Sequence, residues 1–211
     1  MAIDDATRLQ WGPALRSNLE PLHDLHSIVQ ERIGKLTATE STLKDALERV
    51  ARESSEEGDA LSMLATASDD AVRRGRLVGV KLEAAFLEQS IPEEQYRAAL
   101  AAAFPQGAQS IGATPALRLE AMHRIAGALE MHEGADPSGT LAAIAVEGAR
   151  AIENANAEAK REQEEAREAK DALEAARSAF DESYLATKEI VGGLLREAKR
   201  LSELRDIFPD M

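Results

Sequence analysis

Between Pro137 and Pro209 the chain carries no proline, and its apolar residues return at three- and four-residue spacing for most of that length. The series runs Leu141, Ile144, Gly148, Ile152, Ala155, Ala159, Ala166, Ala169, Leu173, Ala176 and Phe180, then Leu194, Leu201 and Phe208. Side chains so spaced share one face of an α-helix, and the residue that most effectively ends a helix is missing. Roughly 60 residues of continuous helix would span about 90 Å. The stretch 138–207 therefore reads as one very long helix or as a hairpin broken near Ser178 to Ser183. Composition points the same way, because 40 of the 211 residues are alanine and only 3% are aromatic. Alanine, Glu, Leu and Arg favour helix, whereas strands need the aromatic and β-branched residues that are scarce here. The expected fold is all-α, an elongated antiparallel bundle with long coiled-coil-like helices.

The first half divides less cleanly. A helix is expected from about Ala14 to Ile33, preceded by an arm in which Trp11 packs onto the bundle. Gly34 then interrupts, and Thr37-x-x-Glu40 has the spacing of a capping box that opens a second helix. Ser54 to Gly58 is a further soft spot before Leu61, Leu64, Val72, Leu82 and Phe86 resume the stripe. Pro92, followed by Glu93 and Glu94, opens a short helix that ends at Phe104-Pro105. Thr114-Pro115 opens another, which stops at Gly134 to Pro137.

The halves echo each other. Leu19-Glu20-Pro21-Leu22-His23 corresponds to Leu119-Glu120-Ala121-Met122-His123, and Ala103-Phe104-Pro105 to Ile207-Phe208-Pro209. These matches divide the chain into two helical repeat units, 1–105 and 106–211, packed together as one bundle. The Phe-Pro endings resemble those of a family of uncharacterised bacterial proteins whose helical hairpins end in Phe-Pro. The resemblance covers most of the chain and implies a duplicated helical bundle; it implies no particular activity.

Many functions are excluded early. A net charge of −13 repels a phosphate backbone, and the one dense basic cluster, Arg73-Arg74-Gly75-Arg76, follows Asp69 and Asp70, so no nucleic-acid partner is expected. The absence of cysteine removes disulfides, thiolate nucleophiles and cysteine-based metal sites. No GxGxxG, Walker, HExxH or GxSxG motif occurs, so neither a cofactor nor a catalytic residue is indicated. The acidic start Met1-Ala2-Ile3-Asp4-Asp5 does not resemble a secretory signal. The longest uncharged run, Ala98 to Leu117, contains two prolines and two glycines, so no membrane span is expected. A cytoplasmic protein fits these features.

Two sets of residues remain as candidate sites. Glu20 with His23 and Glu120 with His123 repeat the Glu-x-x-His spacing by which ferritin-like bundles hold two metal ions. In both, however, the helical periodicity turns the pair away from the apolar face. The second set suits contact with a protein partner or a second copy. Ala159, Ala166 and Ala169 form a narrow seam in the charged stretch Glu158 to Asp171, and Phe104 and Ile111 stand in the uncharged run. Non-catalytic assembly, as a self-associating or scaffold protein, is the favoured reading; a di-metal carboxylate protein is the alternative.

Overall fold

The computed structural model describes residues 4–20, 22, 27–88, 90–107 and 110–208, and among these the structure is helical with no strand. Six α-helices follow in order: α1 (Asp5–Leu19), α2 (Ser27–Leu87), α3 (Glu93–Ala103), α4 (Pro115–Met131), α5 (Thr140–Glu197) and α6 (Leu204–Ile207). No helix among the described residues is long and apolar enough to cross a membrane.

Local chemistry explains most boundaries. The Asp4 carboxylate accepts from the Thr7 amide at 2.8 Å and opens α1; Thr114 accepts from the Leu117 amide and opens α4 with Pro115 in its first turn. Pro92 is the cap residue of α3, with Glu93 and Glu94 over its first turn. At the far end of α5, Lys199 adopts φ 60°, the Arg200 amide donates to the Leu195 carbonyl at 2.8 Å and the Lys199 amide donates to that of Arg196. This is the left-handed helix ending usually built with glycine.

Three expected breaks are absent. The region expected as an arm is already helical from Asp5, and Pro13 lies inside α1. Gly34 and the stretch 54–58 sit within an uninterrupted α2. Thr37 does not cap, because its hydroxyl donates to the Ile33 carbonyl at 2.8 Å, and Glu40 turns away to pair with Arg16 of α1. The alternative of a hairpin over 138–207 gives way to a single α5 that passes through Ser178 and Ser183 with Phe180 and Tyr184 fully buried. The readings that fall on Pro21, His23 and His26 lie outside the described residues.

Contacts group the chain into two compact units, 1–54 with 165–211 and 55–164. They do not coincide with the halves 1–105 and 106–211, each of which supplies residues to both. In the first unit, Leu15, Leu19, Leu36 and Leu43 bury themselves with Phe180, Tyr184, Leu195 and Phe208. The Tyr184 ring is the hub: its centroid lies 5.5 Å from that of Trp11 and 5.7 Å from that of Phe208, the latter edge-on. Ion pairs tie α1 to α5 beside this core. Arg8 donates to both Asp181 oxygens at 2.9 and 2.8 Å, and Arg177 donates to Asp5 from Nε at 2.7 Å and from Nη2. The Arg177 guanidinium holds the Asp5 carboxyl below the usual carboxylate range against the opposing effect of burial.

In the second unit, Val78, Leu82, Ile91, Phe104, Ile111, Met122, Ile125, Leu129 and Ile152 form one core. Met122 of α4 reaches between α2 and α5 because Gly75 and Gly148 leave room for it. A Cβ at Gly75 would stand 2.6 Å from Met122 Cε, and one at Gly148 would stand 3.1 Å from Met122 Sδ. Phe86 of α2 and Tyr96 of α3 stack with centroids 4.3 Å apart, which fixes α3 against the last turns of α2.

Candidate functional site

The last eleven residues of α2, 77–87, are apolar on two faces. Val78 and Leu82 are fully buried in the core of the second unit, with Ala85 and Phe86 packed beside them. Leu77, Val80, Ala84 and Leu87 recur at spacings of three, four and three, so they share the opposite face. That face is open: Leu77 is 43% exposed, Val80 60% and Leu87 72%. Elsewhere in this unit Leu61, Met63, Leu117 and Met131 are also exposed, but in no comparable three-four stripe. Val80 also borders a groove of about 460 Å³ between α2 and α3, whose floor includes Leu100 and Phe104.

The charges around this face are ordered along the helix. Arg73 and Arg76 stand exposed at its amino-terminal end, and Glu83 and Glu88 stand exposed at its carboxy-terminal end. Arg74 is separate from them: Asp70 at 2.7 Å and Glu147 of α5 at 2.9 Å hold its guanidinium and raise its pKa, the Asp70 hydrogen bond most of all. It belongs to the internal bracing of the unit.

The residues singled out from sequence for association are enclosed by the chain itself. Ala159, Ala166 and Ala169 are at most 3% exposed, while Lys160, Arg167, Glu168 and Lys170 around them face solvent. The alanine seam is a packed seam within one chain. Phe104 is the buried cap residue of α3, and Ile111 lies under Gly75 in the core of the second unit.

The Glu-x-x-His residues sit at the surface where they are described. Glu120 is exposed, and His123 places Nε2 3.0 Å from a Glu153 oxygen, a pair with α5 that no local pattern announces. Glu20 is exposed at the end of α1 in the first unit and lines a groove with Arg16, Gln30 and Ile33; His23 lies outside the described residues. Within the second unit, Glu56 and Glu162 bring carboxylate oxygens within 4.8 Å of one another. Glu162 is buried, one of its oxygens accepts from Arg161 at 2.6 Å, and the other has no hydrogen-bond partner. Arg161 already balances that buried charge, so the pair does not require an ion.

The outer face of α2 was missed in the sequence because the inward positions Val72, Leu82 and Phe86 account for a complete stripe by themselves. The second stripe, at 77, 80, 84 and 87, was present in the same eleven residues. No protein-family model, no curated protein and no solved structure matches this chain.

Proposed function

We propose that the protein is a non-catalytic helical-bundle protein that works by association, and that the outer face of α2 over 77–87 is where another helix docks. One observation carries the reading: over 77–87 the helix is apolar on two opposite faces, and the chain covers only one of them. Coiled-coil-like pairing of that face follows from its three-four spacing. A duplicated architecture is supported by the element order, short–long–short in α1–α3 and again in α4–α6, with Phe104 and Phe208 as buried cap residues of the third helix in each set. The cytoplasm is the proposed location, on the absence of cysteine, which fits a reducing compartment.

The test uses that absence. A single cysteine at Val80 (Val80→Cys) is compared with one at exposed Ser178 (Ser178→Cys) for its rate of maleimide labelling, in producing cells and in purified protein over a range of concentrations. Protection of position 80 relative to 178 under either condition is the expected outcome. Equal labelling at both positions, in cells and at the highest purified concentration, would overturn the assignment of this face to association.

A further inference from the structure

We infer that the halves of this chain, 1–105 and 106–211, are binding partners for each other, as two copies are in an intertwined dimer, and that the matching half of a second copy fits the same surface. The inference stands apart from the face at 77–87 and concerns residues already buried. In each compact unit the core is built from both halves. The first unit joins α1 and 27–54 of α2 to 165–197 of α5 and α6, and Leu36 and Leu43 are buried there with Phe180 and Tyr184. The second joins 55–87 of α2 and α3 to α4 and 140–164 of α5, and Val78 and Leu82 are buried there with Met122 and Ile125. Each unit thus receives a leading short helix and the front of a long helix from one half, and the rear of a long helix with a closing short helix from the other. Ion pairs follow the same division. Arg8 pairs with Asp181 and Arg177 with Asp5 in the first unit, and Arg74 pairs with Glu147 and Arg118 with Asp69 in the second.

The long helices match in register. An offset of 109 residues carries buried Leu36, Leu43, Ala60, Ala71, Val78 and Leu82 of α2 onto buried Ala145, Ile152, Ala169, Phe180, Thr187 and Val191 of α5. Several offsets would superpose two apolar stripes, but a buried polar residue within a stripe selects one. The same offset carries Glu53 onto Glu162, and these are the buried glutamates among the described residues. Side-chain size then decides which half pairs with which. In the second unit Met122 of α4 lies over Gly75, so close that a Cβ there would stand 2.6 Å from Met122 Cε. The counterpart of Gly75 in the first unit is Tyr184, and it faces Trp11 of α1. Two second halves together would set Met122 against Tyr184, where only glycine fits; two first halves would leave the space over Gly75 without Met122. Unlike halves therefore pair. Within the chain one covalent connection joins them, between α3 and α4, and its residues Gln106 and Gly107 are exposed. Exchange of equivalent halves between copies reuses every contact and needs no new one.

The test places a site-specific protease sequence between Gln106 and Gly107 of the full chain and compares cleaved with uncleaved protein. The two fragments are expected to stay together at the mass of the uncleaved chain, to keep its circular dichroism at 222 nm, and to melt at a temperature that rises with concentration, because the folded state now forms from two chains. Fragments that separate in native buffer, or that lose the helical signal on cleavage, overturn the inference. Cleaved protein grown in heavy-isotope medium is then mixed with cleaved protein grown in ordinary medium, unfolded in urea and diluted. Native mass spectrometry is expected to find about half of the refolded particles as hybrids of a first half and a second half of different isotopic origin, the proportion that random choice among equivalent copies gives. Refolded particles without hybrids would mean that a half from a second copy does not fit. Pairs of like halves in comparable amount would mean that size does not select the partner. Either result overturns the inference. Neither alters the labelling of position 80, so failure here and failure of the association reading are told apart.

Discussion

Replacing Gly34 or Gly58 by alanine asks whether α2 is one helix. A Cβ built at either position meets nothing within 4 Å, and both residues are exposed in the helix interior. The substitution then has no steric cost. It gains the helix-propensity difference between the two residues, about 1 kcal/mol at each site, mostly by restricting the unfolded chain. Unfolding entropy near 2.1 cal/mol/K per residue makes that a rise of about 2 °C in melting temperature per site for a chain of this length. The two sites lie about 36 Å apart along the helix, so the gains should add. Trp11, the single tryptophan, packs on Tyr184 in the first unit, so its fluorescence reads Gly34→Ala; circular dichroism at 222 nm reads Gly58→Ala. Gly75→Ala serves as contrast, since its Cβ would crowd Met122 and Ile111 and forfeit the gain. A helix that breaks at either glycine has no use for alanine there. A lowered melting temperature for Gly34→Ala or Gly58→Ala would show that the chain bends at that point and would refute the continuous α2.

Two further outcomes follow from local chemistry in the first unit. Lys199→Gly should stabilise it by about 1 kcal/mol, because Lys199 holds a left-handed conformation that costs a residue with a Cβ about that much; unchanged or lower stability by Trp11-monitored denaturation would count against this helix ending. Asp5 is ionised more readily in the folded chain than in the unfolded one, so its contribution is fully present above about pH 4 and is lost as pH falls through the lower folded value, while Arg177 stays charged throughout. Asp5→Asn should therefore be less stable than the parent at pH 7 and show a smaller loss of stability between pH 5 and pH 3. Parallel pH profiles would remove the Asp5–Arg177 pair from the list of contacts that matter.

What could be read from sequence was what depends on near neighbours. The Thr114-Pro115 opening of α4 and the acidic first turn of α3 are settled within a few residues by caps and dipole, and the structure keeps them; periodicity marked 138–207 as helical but left one helix and a hairpin equally open, and the structure has the single helix α5. Gly34 and the stretch 54–58 misled for the same reason. A glycine lowers helix propensity locally, but a penalty near 1 kcal/mol is small beside the burial of Leu36 and Leu43, two and nine residues beyond Gly34. Thr37 and Glu40 had the spacing of a cap, yet Glu40 is claimed by Arg16, which is 24 residues distant and invisible to any local pattern. The Arg8–Asp181 pair, 173 residues apart, could not have been guessed at all.

The candidate site shows the deeper limit of periodicity. Spacing tells which residues share a face and says nothing about whether that face is covered. The alanines at 159, 166 and 169 and the leucine, valine, alanine and leucine at 77, 80, 84 and 87 are equally regular. The first set disappears into the chain and the second is left outside, and only the tertiary arrangement distinguishes them. Size sharpens the contrast. An alanine seam lets helices approach closely and is readily satisfied within one molecule, whereas Leu77, Val80 and Leu87 carry far more apolar surface into water, where each offers about 1.5–3 kcal/mol on complete burial. Part of each is already covered, so the remaining gain is only a fraction of that, and association must also overcome several kcal/mol of lost rigid-body freedom. A single such stripe is therefore too small for a tight complex. It suits a reversible one, which is why the concentration dependence of association carries more information here than the existence of a complex.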